Sequence, residues 1–178
     1  MQEAKNRRSV ARRPVVWASL AIAVVLAALA MWIGSRNQDD NERLAEVAAK
    51  GVQVMPFDLE RTTHRFEPRN DGGVQTVVAD DPGDSEQIEL IRRHLSNEAA
   101  RFRVGDFGDP VSIHGEDMPG LAELRESVDR IEVRYEQVRA GARIWYSTDD
   151  PVLADAIAAW FDAQLTDHGP HAERSPSS

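Results

Sequence analysis

Residues 62–78 read Thr-Thr-His-Arg-Phe-Glu-Pro-Arg-Asn-Asp-Gly-Gly-Val-Gln-Thr-Val-Val, and the fold turns on this stretch. Thr62, His64 and Phe66 alternate with Thr63, Arg65 and Glu67, the period of a strand with one buried face. Asn70-Asp71-Gly72-Gly73 is a turn signal, and beyond it Val74, Thr76 and Val78 alternate with Gln75 and Val77, so the stretch predicts a β-hairpin. Working outward, Asp81-Pro82-Gly83-Asp84-Ser85-Glu86 ends the hairpin and opens a helix, with Asp84 or Ser85 as N-cap. That helix is expected over 85–104, with Ile88, Ile91, Leu95, Ala99 and Phe102 as its apolar stripe. Residues 105–120 read as a long Gly/Pro/Asp-rich loop, followed by a short helix over 119–127. A second hairpin comes next: Ile131, Val133 and Tyr135 alternate with charged residues, Ala140-Gly141 turns, and Ile144 and Tyr146 continue. Asp150 then caps a last helix with Pro151 at its first position, burying Leu153, Ala156, Ile157, Trp160 and Phe161. The order ββα-(α)-ββα predicts an α+β domain with an antiparallel four-stranded sheet and its helices on one face.

Upstream the composition changes. The 178 residues carry 21 basic and 30 acidic side chains, but residues 1–36 hold six basic groups against Glu3 alone, leaving 15 basic and 29 acidic over 37–178. So acidic a body argues against nucleic acid as a partner. Val15 to Ile33 is uncharged, bounded by Trp17 and Trp32, and as a helix covers about 28 Å, the thickness of a bilayer core. The expected plan is therefore a basic cytoplasmic N-terminus (1–14), a transmembrane helix (15–33) with the lipid bilayer as partner, a polar stalk (34–51), an extracytoplasmic α+β domain (52–171) and a disordered tail (172–178). Ala28-Leu29-Ala30 offers the alternative of a cleaved signal peptide, but the apolar run continues through that site, which favours an uncleaved anchor. The absence of cysteine excludes disulfides, thiolate metal sites and thiol nucleophiles.

Five histidines hold the candidate chemistry. His64, His114, His168 and His171 form the candidate metal set, with His94, Glu98 and Met118 secondary, and a divalent transition metal is the candidate cofactor. Each has a plainer reading. His94 and Glu98 share the flank of a helix as a solvated ion pair would, His64 sits beside Phe66, and His168 and His171 lie near the C-terminus. Asp106, Asp109, Glu116 and Asp117 lack the spacing of an EF-hand. No Gly-x-Ser-x-Gly elbow, Walker loop, dinucleotide fingerprint or His-Glu-x-x-His motif is present, so no residue is assigned a catalytic role.

Thr63-His64-x-Phe66, Gly72-Gly73-Val74-Gln75, Ile91-Arg92-x-His94-Leu95, Gly105-Asp106-Phe107, Ile113-His114-Gly115-x-Asp117-Met118-Pro119-Gly120 and Trp160 to Gln164 with Asp167-His168-Gly169-x-His171-Ala172 resemble a family of small uncharacterised bacterial proteins labelled "aspartate carbamoyltransferase". The resemblance covers about 56–172, and members often carry a histidine where this chain has Ala158. Carbamoyltransferases hold carbamoyl phosphate on a Ser-Thr-Arg-Thr loop at a helix N-terminus. The nearest string here, Arg61-Thr62-Thr63-His64, reads as a strand, so the labelled activity is not expected. The expectation is a non-enzymatic domain that binds a ligand or protein, with a histidine-based metal protein or metal-dependent enzyme as the alternative.

Overall fold

The computed structural model describes residues 13–169 and 172–175, with side chains from Leu29 onward. The chain divides into two units, 1–42 and 43–178. In the first, the described residues belong to helix α1, Arg13–Val54, where the Arg36 guanidinium lies 4.4 Å from the centre of the Trp32 ring and Gln38 donates to Glu42 at 2.9 Å.

Among the described residues no helix is long and apolar enough to cross a membrane, which corrects the expected transmembrane helix at 15–33 and the single-pass plan built on it. Among the described side chains of α1 the unbroken apolar run is Leu29 to Gly34; Arg36, Asp39, Asp40 and Glu42 follow. Six helical residues cover about 9 Å of a core roughly 30 Å thick. The side chains of 15–28, and residues 1–12 altogether, lie outside the described residues.

The second unit is α+β. The last turns of α1 lead through a 3-10 turn, Leu59–Arg61, into β1, Thr62–Arg69, and β2, Gly72–Ala79. The register Arg69↔Gly72 makes Asn70-Asp71 the two-residue turn. The glycines expected in that turn instead begin β2. A Cβ on Gly72, whose φ is +135°, would stand 2.0 Å from the Tyr146 carbonyl oxygen, and one on Gly73 would stand 2.5 Å from Phe161 Cε2. They are glycines because the neighbouring strand and helix pass too close for a side chain.

Helix α2, Ser85–Phe102, is capped by the Asp84 carboxylate, which accepts from the Gln87 N–H. Residues 105–120 are not one loop, because Gly108–His114 form a helix, α3. Arg101 draws Asp106 and Asp109 together (2.7 and 2.6 Å) where α3 begins, and this contact across the chain outweighs the local turn composition. Helix α4, Leu121–Glu126, leads to β3, Glu132–Val138, and β4, Gly141–Ser147. The last helix, α5, spans Pro151–His168, with the Asp150 carboxylate accepting from the Val152 N–H.

The sheet has five strands in the order β3-β4-β2-β1-β5, not the expected four. Strands β1 to β4 pair antiparallel, and β5, Ala172–Arg174, pairs parallel to β1, so the sheet is mixed. The tail expected to be disordered from 172 supplies this strand. Three residues carry no alternation to read, and the pairing comes from the open edge of β1, the Ser175 N–H donating to the Phe66 carbonyl and Arg65 pairing with Glu173 at 2.6 Å. Helix α2 packs on β2 to β4 and α5 on β1 and β2. Between helices and sheet lies an aromatic core: Phe102 stacks on Phe107 at 4.8 Å, and Trp160 stands edge-on to both and to Tyr146.

Candidate functional site

The last turns of α1 carry apolar or small residues at Leu44, Val47, Ala48, Gly51 and Val52, the spacing of one helix face. In the structure this face forms one wall of a pocket of about 480 Å³. Phe57 and Leu59 continue the wall, Asp58 and Glu60 stand at its exposed rim, and His64, Asp167 and His168 close it. Asp58 caps the 3-10 turn by accepting from the Glu60 N–H, and its own N–H donates to Gln87 at 2.8 Å, fixing the 57–60 segment to α2.

Asp167 is 4% exposed at the end of α5 and accepts three hydrogen bonds. Arg43 donates two, from Nε at 2.6 Å and Nη2 at 2.7 Å, and His114 Nδ1 approaches at 2.9 Å. The hydrogen bonds it donates to Asp167 hold the Arg43 guanidinium above its ordinary pKa. Burial is the larger influence on His114 and lowers its pKa in spite of Asp167, so at neutral pH the ring is uncharged, with Nδ1–H donating to the carboxylate. His168 bridges the other two imidazoles: its ring centre is 4.9 Å from that of His64 and 5.1 Å from that of His114.

Behind these rings lies a second cavity, of about 10 Å³, lined by His64, Gln75, His94, Glu98, His114, Gln164 and His168 among apolar neighbours. Phe57, edge-on to His94 at 5.6 Å and tilted on His64 at 5.9 Å, borders both spaces. His94 and Glu98, expected as a solvated pair, are buried and 3.6 Å apart, too far for a hydrogen bond. Burial lowers the His94 pKa and raises that of Glu98 to about 8, so both favour their neutral forms at pH 7. The Tyr146 hydroxyl donates to Gln75 Oε1 at 3.1 Å, and its pKa is raised by burial and then by Glu98. Gln164 Nε2 is buried without a hydrogen-bond partner among the described residues.

The structure therefore brings together His64, His114 and His168 of the expected metal set, while His171 lies outside the described residues. Among the described residues no group of three or more His, Asp or Glu side chains is arranged to hold a metal ion. Met118 is packed in the apolar core and lines neither cavity. Asp106 and Asp109 are engaged by Arg101, while Glu116 and Asp117 point to solvent. The 61–64 string makes no phosphate cradle. Thr62 Oγ1 donates to the Asp58 carbonyl, Thr63 Oγ1 donates to Asp80, and Arg61 pairs with Asp84.

Sequence reasoning missed Arg43, Asp167 and Gln164. The signal for Arg43 was the apolar stripe beginning at Leu44, which marks 43–54 as a packed helix face instead of a spacer. No known protein family, curated protein or solved structure matches the chain.

Proposed function

We propose that the 43–178 unit binds a small, largely apolar molecule in the pocket between α1 and the imidazole cluster, and that it acts as a binding domain instead of an enzyme. The carrying observation is the pocket itself: about 480 Å³, apolar along α1, Phe57 and Leu59, and closed by His64, Asp167 and His168. Space of this size, with an apolar lining and a few convergent polar groups, is the usual form of a small-molecule site. The polar groups serve positioning better than chemistry. Asp167 is engaged by Arg43 and His114, and among the described residues neither cavity is lined by serine, threonine or tyrosine to act as a nucleophile.

The test uses N-phenyl-1-naphthylamine, an uncharged probe that fluoresces in apolar surroundings. Its expected Kd is on the order of 1–10 µM. Ala48 lines the pocket from a helix position open to solvent, so Ala48→Trp fills the space without disturbing the core. That variant should bind at least about tenfold more weakly with an unchanged Tm. An absence of binding by the folded wild type, or binding indifferent to Ala48→Trp, overturns the proposal.

A further inference from the structure

The small cavity behind the pocket has a chemistry that narrows the ligand. Its volume of about 10 Å³ suits one water-sized group. Gln164, 4% exposed, lines it with an amide Nε2 donor that has no partner among the described residues, and a buried donor in that state calls for an acceptor. Among the described residues, every Asp, Glu, Lys or Arg side chain that lines the two spaces is acidic: Asp58, Glu60 and Asp167 in the pocket and Glu98 in the cavity.

We propose that the ligand ends in an uncharged oxygen acceptor, an alcohol or a ketone, and that this oxygen occupies the small cavity and accepts a hydrogen bond from Gln164 Nε2. The inference rests on the larger pocket being the ligand site. The apolar body lies against α1, and the oxygen reaches past Phe57, His64 and His168, which border both spaces. A carboxylate in the same place buries its charge among largely apolar neighbours, with no lysine or arginine among the described residues of either lining. An ammonium offers no acceptor and leaves the Gln164 donor unmet. Glu98, held protonated by burial at neutral pH, is a second donor facing the same space.

The experiment displaces N-phenyl-1-naphthylamine at pH 7 with four ligands of equal chain length: 1-octanol, 2-octanone, octanoate and octylamine. The alcohol and the ketone should displace it at concentrations about tenfold lower than the acid and the amine. Gln164→Leu, of similar volume, should weaken the alcohol and ketone about tenfold and leave the affinity for the probe itself unchanged. In the wild type, the side-chain amide resonance of Gln164 should shift on addition of 1-octanol, a readout independent of how the variant folds. Equal displacement by octanoate or octylamine, an unaltered ranking in a folded Gln164→Leu, or an amide resonance that does not move overturns the inference. Failure of the probe to bind removes the pocket reading as well; binding of the probe without head-group preference removes only this inference.

Discussion

Replacement of Asp167 by alanine tests the contact that fixes the pocket's base. The wild-type carboxylate is 4% exposed and takes three hydrogen bonds, at 2.6 and 2.7 Å from Arg43 and 2.9 Å at His114 Nδ1. A hydrogen bond to a charged group contributes about 1.5–3 kcal/mol when buried, but Arg43 is 55% exposed, so its two bonds are discounted for solvent screening to about 1 kcal/mol together. The His114 contact is fully enclosed and contributes about 1.5 kcal/mol, and the truncated side chain leaves His114 Nδ1–H buried without an acceptor, costing about 1 kcal/mol more. The expected loss is about 3.5 kcal/mol, or roughly 12 °C in Tm for a unit of this size. Urea unfolding followed by tryptophan fluorescence reads it, since Trp160 is wholly buried in the core. Arg43→Ala alone should cost about 1 kcal/mol, and the double variant should show a coupling energy of the same order. A loss below about 0.5 kcal/mol for Asp167→Ala, with no coupling to Arg43, would refute the account of Asp167 as the residue that joins α1, α3 and α5.

Glu98 gives a pH prediction. Its folded pKa of about 8 lies above its ordinary value, so the folded state holds a proton that the unfolded state has released, and stability falls as pH rises from about 4.5 to 8. His94 and His114, lowered by burial, act oppositely where their unfolded imidazoles titrate around pH 6.5, so the Glu98 effect is read as the difference between wild type and Glu98→Gln, in which the histidine terms cancel. Between about pH 6.5 and 8 the stability of wild type relative to Glu98→Gln should decline by up to about 1.4 kcal/mol per pH unit; a difference that stays level across that window would count against it. Gly72→Ala places a Cβ 2.0 Å from the Tyr146 carbonyl at a φ of +135°, and it should cost more than about 3 kcal/mol, read as a collapse of Tm; a Tm within a few degrees of wild type would show that the strands separate more easily than drawn.

Elements whose signal is local were legible in the chain. The alternation through Thr62–Glu67 and Val74–Val78, the capping residues Asp84 and Asp150, and the stripes of α2 and α5 each state their structure within one or two turns. What could not be read is set by contacts distant in sequence. β5 exists because the edge of β1 is open beside it, α3 begins where Arg101 reaches Asp106 and Asp109, and the Gly72-Gly73 pair is explained by Tyr146 and Phe161 more than 70 positions away. The site divides the same way. Histidines are visible as a residue type, and three of them meet, but nothing in the spacing of Arg43, His114 and Asp167 indicates that they share hydrogen bonds.

The burial of so many polar groups in a unit of this size argues for use over support. Gln75 and Tyr146 satisfy each other, and Asp167 joins Arg43 and His114, so those groups have a structural return. His94, Glu98 and Gln164 do not fit that account. The first two stand neutral at 3.6 Å, short of a hydrogen bond, and the third has a buried donor with no acceptor among the described residues. Replacing such groups by apolar side chains of equal volume is often neutral or stabilising, so stability alone supplies no reason to keep them. All three face one water-sized cavity that shares Phe57, His64 and His168 with the apolar pocket. A polar interior left incomplete beside a space where a ligand's end can complete it is what a site selective for an uncharged oxygen requires, and that links the pocket's shape to the chemistry behind it.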